Sequence, residues 1–540
     1  MKKILENQII NSALWAAYGD ALGFITELAD AKILKSRTGQ QTIESLVDWK
    51  RRVGGKFGTT IKLPKGSYSD DTQLRLATSR AIMGNGHFSI HSFSKIELPV
   101  WQSYALGAGR GSKLAASSLS KANVAWYSNF YNSDNVSYLQ SGGNGAAMRI
   151  QPHVWSAVKL DEPELFLPDV IRNSLTTHGH PRAIIGSVFH ALSLSYTLFY
   201  KKIPSLEYLR TFNQWTNEVP RIIESDINLN TIWASHYENS SQSSLVDDYE
   251  EVYKELEALI DKAEEWYKDE EKTYKSLATL LNLFDVETRG SGTLTSLAAS
   301  VACLLLEETS EIDLIKTISN ELLTDTDSIA TMAGAIMGAQ TDICPDERVQ
   351  DQDYIIQESK RLHSISNREA ANSFKYPEKL EWKSPSSQLD FLGKANDRLV
   401  LFPFGEVKSI STEVFISTNK SYCYEWFESK LGQSFLIKRR YNGEFKKVAE
   451  EFLEPQVNIH NSKSLIDERA LVQQNLELED NVFATSIDID KLTTKIIRDQ
   501  FDPTTIGSSL LEIANSELGV NGVVAFSAII SKAYVARKRK

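Results

Sequence analysis

Apolar residues recur at helical spacing through most of the chain up to residue 345. Between residues 7 and 27, Ala13, Ala17 and Ala21 repeat with other apolar side chains on one face, which predicts a closely packed helix. The first part of the chain is therefore expected to be all-α. The same periodicity predicts further helices over residues 70–84, 183–200, 247–268, 289–306 and 331–339.

The pattern changes beyond residues 365–395, a stretch without helical period that contains Pro377 and several serines. Short apolar runs then predict strands over residues 399–402, 411–417 and 434–437, and residues 485–535 predict two or three helices. We therefore predict an N-terminal domain at residues 1–370, a linker at 371–395 and a smaller α+β C-terminal domain at 396–540.

Two segments of the first part carry no periodic pattern. Residues 51–68 are Gly-rich, and residues 201–245 are polar and irregular. Such composition is typical of connections between helices. Both segments are therefore predicted as loops.

The composition is that of a globular protein, with 540 residues of which 42% are hydrophobic. The net charge of -11 argues against general affinity for nucleic acid. Three widely spaced cysteines indicate neither a disulfide framework nor a thiolate metal site, and they fit a reducing cytoplasm. No apolar run reaches the roughly 18 residues of a membrane helix, so no membrane partner is expected.

Two groups of carboxylates stand at the heads of predicted helices. The first is Ser69-Asp70-Asp71-Thr72, and the second is Thr324-Asp325-Thr326-Asp327-Ser328. Each group alone is typical of a capped helix start, because the helix dipole stabilises acidic residues in the first turn.

The presence of two such groups favours a shared site. Four carboxylates brought together repel one another and are costly to remove from water. Divalent cations such as Mg2+ and Mn2+ prefer oxygen ligands and remove that cost. We therefore interpret the two groups as the walls of a metal site for two ions.

Further short motifs accompany these groups along the chain. They are Gly19-Asp20-Ala21-Leu22-Gly23 with Glu27, Gly54-Gly55-Lys56-Phe57, Gly143-Asn144-Gly145-Ala146-Ala147-Met148-Arg149 and Thr177-His178. In this order, over residues 8–345, the chain resembles the ADP-ribosylglycohydrolase family. It departs from the family pattern at Ser69 and Ser328, where Thr is usual, and at Thr324, where Gly is usual.

The resemblance implies an all-α N-terminal domain and a glycosidase-type hydrolase. Such an enzyme removes ADP-ribose from an ADP-ribosylated protein or another ADP-ribose conjugate by cleaving the glycosidic bond at the ribose anomeric carbon. The resemblance implies two Mg2+ ions, with Mn2+ as an alternative, and catalytic roles for Glu27, Asp70 and Asp327. It leaves open whether Glu27 is a metal ligand, an acid/base or a gate. The implied metal ligands are Ser69, Asp70, Asp71, Asp325, Asp327 and Ser328.

The resemblance also implies that Gly-rich loops hold the ADP-ribose, and that residues 51–68 lie over the metal site. The residues alone leave the stretch at 107–112 open between a phosphate-binding loop and a simple turn. The implied substrate-binding residues are Gly109, Gly111, Ser112, Gly143, Asn144, Gly145, Met148 and His178.

Two other functions stay open. Paired carboxylates also serve metal-dependent phosphoesterases. Alternatively, the cleft binds ADP-ribose without cleaving it while the C-terminal domain recruits a protein partner, although the complete carboxylate set argues against this. Residues 396–540 resemble no family that we recognise.

Overall fold

The computed structural model describes residues 5–377, 382–453, 457–460, 488–516 and 518–538. The chain divides into two compact units, of which the larger comprises Met1–Asn217 and Tyr249–Ser464 and the smaller comprises Glu218–Asp248 and Leu465–Lys540. The domain boundaries predicted at residues 370 and 395 are statements about which parts of the chain fold independently. They stay predictions.

Helices make up most of the chain up to residue 368, which confirms the predicted fold class of this part. The helices predicted over residues 183–200 and 247–268 are present with nearly the same ends. The α-helices are Glu6–Thr26, Ala31–Thr38, Asp70–Ala81, Ile90–Ser92, Leu98–Trp101, Arg110–Leu119, Gln151–Trp155, Leu167–Leu175, Pro181–Tyr200, Leu206–Trp215, Val219–Ser225, Ser235–Ser241, Leu245–Tyr267, Tyr274–Leu280, Gly292–Ala302, Glu311–Ser319, Thr326–Gln340 and Gln352–Ser366.

The N-terminal helix (Glu6–Thr26) and the Asp327 helix (Thr326–Gln340) pack against each other at very short range. Both are buried along nearly their whole length. A Cβ on Gly334 would lie 2.3 Å from the carbonyl oxygen of Trp15, so the two backbones approach more closely than any larger residue allows. The other glycines of this contact that leave no room for a Cβ are Gly19, Gly23 and Gly338.

Replacing Gly334 by Ala is expected to lower the free energy of unfolding by about 3 kcal/mol or more, because one of the two backbones has to move. Chemical denaturation of the full chain measures the change. Gly507→Ala is the matched control, because a Cβ there meets no heavy atom within 4 Å and the change should be neutral or slightly stabilising. Equal stability of Gly334→Ala and the wild type would contradict the close approach.

Residues 51–68, predicted as a loop, contain most of a β-hairpin instead. β1 (Trp49–Val53) pairs antiparallel with β2 (Thr59–Leu63), and Gly54 and Gly55 between them have φ values of 86° and 64°. The alternation of β1 is hard to detect in the sequence WKRRV, because three of its five side chains are long and cationic. This hairpin is a β element in a region predicted to be all-α.

Residues 201–245, predicted as irregular, are also largely structured. They form the short helices Leu206–Trp215, Val219–Ser225 and Ser235–Ser241 and a π-helical turn at Leu229–Ala234. Periodicity is read over windows of about 11 residues or more, so helices of this length give a weak signal in the sequence.

The region after residue 370 contains strands and then helices, as predicted. The strands of the C-terminal sheet are β4 (Leu392–Ala395), β5 (Arg398–Leu401), β6 (Gly405–Ser409), β7 (Phe415–Ile416), β8 (Tyr422–Ser429), β9 (Ser434–Arg440) and β10 (Lys446–Lys447). These seven strands are ordered β10-β4-β5-β6-β8-β7 in the sheet, with β9 also paired to β8. A separate pair is β3 (Ala371–Phe374) with β11 (Val457–His460), and the last helices are Ile489–Arg498, Pro503–Ala514 and Gly519–Lys538.

The C-terminal sheet shares a core with the N-terminal helices inside the larger unit. Phe435 of β9 packs edge-on against Tyr104, with ring centroids 4.6 Å apart. The backbone N–H of Lys438 donates a hydrogen bond to the carbonyl oxygen of Ser103 at 2.7 Å. The sheet is therefore packed directly on the helical part that it follows in sequence.

The helix Pro181–Tyr200 has the length and composition of a membrane span, with a mean hydropathy of 1.4. Within the protein, 83% of this apolar stretch is buried. A Cβ on its Gly186 would lie 2.3 Å from the carbonyl oxygen of Gly292 on a neighbouring helix. Its surroundings are those of a core helix.

Candidate active site

The Asp70 helix (Asp70–Ala81) begins at a network that holds two carboxylates in place. The hydroxyl of Ser69 accepts a hydrogen bond from the backbone N–H of Asp71 at 3.2 Å. The buried carboxylate of Asp20 accepts hydrogen bonds from the backbone N–H groups of Ser69 at 2.8 Å and Thr72 at 2.9 Å. The capping bonds thus come from Ser69 and Asp20, so the two carboxylates of the first turn are left for other interactions.

The Asp327 helix carries the second group of carboxylates at its start. Asp325 is the N-cap residue, but its side chain makes no capping hydrogen bond. Instead, its Oδ2 accepts a hydrogen bond from the side-chain amide of Asn144 at 3.0 Å. Oδ1 of Asp327 accepts from the backbone N–H of Ser328 at 2.9 Å.

A buried arginine joins the two helices that carry the carboxylates. Arg75 on the Asp70 helix donates to Oγ1 of Thr331 on the Asp327 helix at 2.9 Å and to Oγ1 of Thr72 at 2.7 Å. Burial lowers the pKa of Arg75, whereas the negative charges of Asp20 and Asp71 raise it. Packing therefore brings together two groups that are far apart in sequence.

The carboxylates of both helices lie close enough to affect one another's ionisation. Burial raises the pKa of Asp70 to about 8, with a further contribution from the negative charge of Glu27. Burial likewise raises the pKa of Asp71, to which the charge of Asp325 adds, and the pKa of Asp327, to which the charge of Asp71 adds. The two groups thus form one electrostatic site.

Glu27 lies beside this site and is held by an arginine that the sequence analysis did not single out. Nη2 of Arg51 on β1 donates to Oε2 of Glu27 at 2.6 Å, and the Arg51 guanidinium lies 4.4 Å from the ring centroid of Phe24. Arg37 donates to the backbone carbonyl of Glu27 at 3.0 Å. The hairpin predicted as a loop therefore fixes the position of Glu27.

The donor atoms of this site are those that hard divalent cations prefer. The candidate ligands are carboxylate and hydroxyl oxygens. Oδ2 of Asp71 is buried without a hydrogen-bond partner, and a buried carboxylate oxygen without a partner is costly. Within the described ranges, no three His, Cys, Asp or Glu side chains are already arranged as a metal-binding group. The donor chemistry fits a divalent cation, and the assignment of individual ligands stays a prediction.

The loop Gly143-Asn144-Gly145 lies beside the second group of carboxylates and is bonded to the segment at Gly290, which contacts the same group. The backbone N–H of Asn144 donates to the carbonyl oxygen of Gly290 at 2.9 Å. A Cβ on Gly290 would lie 3.2 Å from Oδ2 of Asp325. Together with the bond from Asn144 to Asp325, these contacts place the predicted substrate loop directly beside the second group of carboxylates.

Three of the predicted substrate-binding residues meet at one point. A Cβ on Gly145 would lie 3.0 Å from Oγ of Ser112 and 3.1 Å from Cε1 of His178. The hydroxyl of Thr177 pairs with Nδ1 of His178 at 2.7 Å. Burial, and to a lesser extent the positive charge of Arg149, lowers the pKa of His178 to about 3, so its imidazole is neutral at physiological pH.

The predicted Gly-rich loop at residues 107–112 is in part a helix start. Gly109 is the N-cap residue of the helix Arg110–Leu119, so Gly111 and Ser112 lie in its first turn. Gly107, which the sequence analysis did not select, has a φ of 79°, and a Cβ there would lie 3.0 Å from Oδ1 of Asp70. Met148, in the 3-10 turn Ala147–Arg149, is buried with 2% of its surface exposed.

Two cationic side chains near the site, Lys113 and Arg149, were not among the residues predicted to form it. Loss of solvent around its ammonium group lowers the pKa of Lys113, and the negative charge of Asp70 partly offsets this shift. Arg149 donates to the carbonyl oxygen of Gly145 at 3.0 Å and to Oγ1 of Thr177 at 2.8 Å, so it holds both substrate loops. Arg149 belongs to a motif that the sequence analysis quoted, but nothing local in the sequence indicates Lys113.

The sequence model of the ADP-ribosylglycohydrolase family matches residues 1–368, which is more than half of the chain. No curated protein gives a significant match. One similar solved structure is described as an ADP-ribosylglycohydrolase-related protein complex, at 15% sequence identity and a TM-score of 0.42. That similarity covers 67% of this chain and 98% of the other chain. On the family match, the chain belongs to the ADP-ribosylglycohydrolase family.

Proposed function

We propose that the protein cleaves the glycosidic bond at the ribose anomeric carbon of an ADP-ribosylated protein or another ADP-ribose conjugate, and so releases ADP-ribose. Membership of the family supports hydrolase action on ADP-ribose. The observation that carries the proposal is the meeting of two carboxylate groups with a Gly-rich loop, where Asn144 donates to Asp325 at 3.0 Å.

The proposal includes two Mg2+ ions, with Mn2+ as an alternative. Bound divalent ions would neutralise the carboxylates and lower the pKa of a bound water. The pKa of Asp70, raised to about 8, supports this assignment, because a buried carboxyl group that retains its proton near neutral pH can exchange it for a cation. The proposed ligands are Ser69, Asp70, Asp71, Asp325, Asp327 and Ser328.

Two other residues have roles that follow from their surroundings. Arg51 orients the carboxylate of Glu27 beside Asp70, where it can serve as a ligand, an acid/base or a gate. His178 is neutral and lies against Gly145, so it can bind the substrate by hydrogen bonding but has no proton to spare as a general acid.

The test is to incubate the full chain with several ADP-ribosyl conjugates, including ADP-ribosylated arginine and ADP-ribosylated serine peptides. Each reaction is run with Mg2+ and with EDTA, and the released ADP-ribose is measured by chromatography. Release that depends on Mg2+ from at least one conjugate is expected. The same panel identifies the linkage that the enzyme prefers.

The two alternative functions give different results in this assay. Release of phosphate from model esters, without release of ADP-ribose, would indicate a phosphoesterase. Binding of ADP-ribose without metal-dependent turnover would indicate a binding module, in which the C-terminal part recruits a protein partner.

Removal of divalent cations is expected to abolish hydrolysis, and addition of Mg2+ or Mn2+ should restore it. Mg2+ should also raise the melting temperature, and more so above about pH 8 than below about pH 5, because protons compete with the cation for buried carboxylates such as Asp70. Calorimetry across this pH range measures the effect. Full activity after thorough removal of metal would refute the proposed metal site.

We place the protein in the cytoplasm as part of the same proposal. Its three cysteines are free thiols, of which Cys303 and Cys423 are buried. Unpaired thiols suit a reducing compartment. Fractionation of cells that express the protein would test the location.

A further inference from the structure

Glu27, a predicted catalytic residue, is fixed along its backbone against the second group of carboxylates. The hydroxyl oxygens of Thr26 and Thr326 lie 3.1 Å apart. The backbone N–H of Leu28 donates to the carbonyl oxygen of Thr324 at 3.4 Å. Both sequence neighbours of Glu27 are thus bonded to the segment that carries the second group, so only the direction of the Glu27 side chain remains to be set.

The Glu27 side chain is held by Arg51, which lies on β1 of the hairpin. Nη2 of Arg51 donates to Oε2 of Glu27 at 2.6 Å, and the guanidinium lies 4.4 Å from the ring centroid of Phe24. Among the described residues, Nη1 of Arg51 is buried and has no hydrogen-bond partner. Hydrogen bonds therefore do not fix Arg51 from both sides, and the direction of the Glu27 carboxylate depends on the position of β1.

The hairpin at residues 49–63 is not rigid by itself. β1 and β2 form a sheet of only two strands, and an isolated two-stranded hairpin is at best marginally stable in water. Arg51 lies opposite Ile61, close to the turn that joins the strands. Gly54 and Gly55 in this turn have φ values of 86° and 64°, and glycine exchanges readily between backbone conformations. The turn end of the hairpin therefore needs support from outside.

The C-terminal sheet supplies this support. The hydroxyl of Tyr422 on β8 donates to the carbonyl oxygen of Gly54 at 2.8 Å, and a Cβ on Gly54 would lie only 2.6 Å from the same hydroxyl oxygen. The backbone N–H of Thr418 donates to the carbonyl oxygen of Phe57 at 3.0 Å. The ammonium group of Lys438 on β9 lies 4.2 Å from the Tyr422 ring centroid and holds the ring from the sheet. The support thus comes from residues outside the family match.

We propose that Tyr422 of the C-terminal sheet is a positioning residue of the candidate active site. By holding the hairpin turn, it keeps Arg51 against Glu27 and so keeps the Glu27 carboxylate in place for the reaction. A catalytic group has to stay within a fraction of an ångström of its working position, so a looser hairpin lowers turnover. The role of Glu27 in the reaction rests on the proposed function, whereas the support of the hairpin by the sheet does not.

The kinetic test uses Tyr422→Phe, which removes only the hydroxyl group. With an ADP-ribosyl conjugate, kcat should fall by about fivefold, which corresponds to the loss of one hydrogen bond. KM should change little, because the loops at Gly143 and His178 bind the substrate. Arg51→Met should lower kcat further. Adding Tyr422→Phe to Arg51→Met should have no additional effect, because Tyr422 acts through Arg51.

Tyr267→Phe is the matched control. It removes a tyrosine hydroxyl that donates to Oε2 of Glu307 at 3.1 Å, and neither residue belongs to the hairpin or to the C-terminal sheet. This variant should keep the kcat of the wild type.

Amide hydrogen exchange, measured by mass spectrometry on the full chain, tests the support without any need for activity. In Tyr422→Phe, exchange within residues 49–63 should become about fivefold faster, because the hairpin opens more often. Exchange in the helix Pro181–Tyr200 should stay unchanged, and Tyr267→Phe should leave the hairpin as it is in the wild type.

Faster exchange of the hairpin in Tyr422→Phe supports its role even where the wild type hydrolyses no conjugate, in which case the proposed function alone fails. Unchanged exchange of the hairpin, or a kcat equal to that of an active wild type, would overturn the positioning role. Losses that multiply fully in the double variant would overturn the route through Arg51. Equally faster exchange in the hairpin and in Pro181–Tyr200 would overturn the proposal as well, because Tyr422 would then stabilise the fold as a whole.

Discussion

Asp70→Asn and Asp327→Asn are each expected to lower the turnover of an ADP-ribosyl conjugate by at least about a hundredfold, through loss of a cation that positions water. Binding of ADP-ribose should suffer less, because the loops at Gly143 and His178 also hold the ligand. Steady-state kinetics and calorimetry on the same preparations separate the two effects. Asp353→Asn is the matched control: it removes an aspartate that is also in a first helical turn, but whose side chain is 84% exposed.

The double variant Asp70→Asn, Asp327→Asn should be little worse than either single variant. Residues that act through the same bound cations lose their effect together, so their contributions do not add. The raised pKa values already indicate that the two groups share one electrostatic site, because the charge of Asp71 raises the pKa of Asp327. Losses that multiply fully in the double variant would mean that the two groups work independently.

Asp70→Asn is also expected to stabilise the metal-free protein at neutral and alkaline pH. Folding raises the pKa of Asp70 from 3.8 to about 8, so the folded state holds a proton that the unfolded chain releases. The stability that this proton provides is present below the unfolded pKa and is lost as the pH rises through the folded pKa. Asn cannot ionise, so the variant keeps this stability.

Urea denaturation in EDTA between about pH 4 and pH 9 measures this difference. The wild type should lose stability across the range, whereas the variant should lose less. A variant that is less stable than the wild type at every pH, and that retains high activity, would show that Asp70 only starts its helix.

A chain that ends at Arg368, where the family match ends, is expected to be much less stable than the larger unit of the full chain. The reason is a buried ion pair in the helical part. Nη2 of Arg80 lies 2.8 Å from Oε2 of Glu97, and both side chains are almost fully buried. A buried pair of this kind is tolerated only while its remaining hydrogen-bonding groups are satisfied.

Residues beyond the family match supply the remaining hydrogen-bond partners of this ion pair and an aromatic ring that packs on it. Nη1 of Arg80 donates to Oε1 of Gln433 at 2.6 Å, and the hydroxyl of Tyr376 donates to Oε1 of Glu97 at 2.6 Å. The ring of Phe404 lies 4.7 Å from the Arg80 guanidinium. Truncation removes all three residues, so the free energy of unfolding should fall by at least about 3 kcal/mol, or the product should be insoluble.

A single substitution tests, without truncation, whether the C-terminal sheet stabilises the buried ion pair. Gln433→Ala in the full chain leaves the buried Arg80 guanidinium without one acceptor and should cost about 1 to 3 kcal/mol. Gln357→Ala removes an exposed glutamine from a helix and should have little effect. A chain ending at Arg368 that unfolds at the same denaturant concentration as the full chain would instead support the predicted domain boundary at residue 370.

The long helices and several of the strands could be predicted from the sequence because their signals are local, whereas the short helices within residues 201–245 were missed. The helix predicted over residues 183–200 is Pro181–Tyr200, and the strand predicted over residues 434–437 lies within β9. The placement of both carboxylate groups at helix starts follows in the same way. The hairpin at residues 49–63 was missed because charged side chains obscure its alternation.

The sequence alone could not predict how the residues of the candidate site are arranged in space. Arg51, which lies on a hairpin that was predicted as a loop, pairs with Glu27. Arg75 donates a hydrogen bond to Thr331, which is 256 positions away in the sequence. Motif order indicated that these segments belong to one site, but it gives no distances. Close packing of glycine-bearing helices decides how near the carboxylates come to one another, and that nearness sets their pKa values.

The clearest contrast between sequence and tertiary structure is the C-terminal sheet. Short apolar runs predicted β5, β7 and β9 of this sheet but not its other strands, and a polar stretch before them predicted a boundary. The structure gives Gln433 a hydrogen bond to Arg80, 353 positions away, and packs Phe435 of β9 against Tyr104. The sequence pattern of a strand shows which of its faces is apolar. Which surface packs on that face depends on side chains elsewhere in the chain, so only the folded structure shows what the strand contacts.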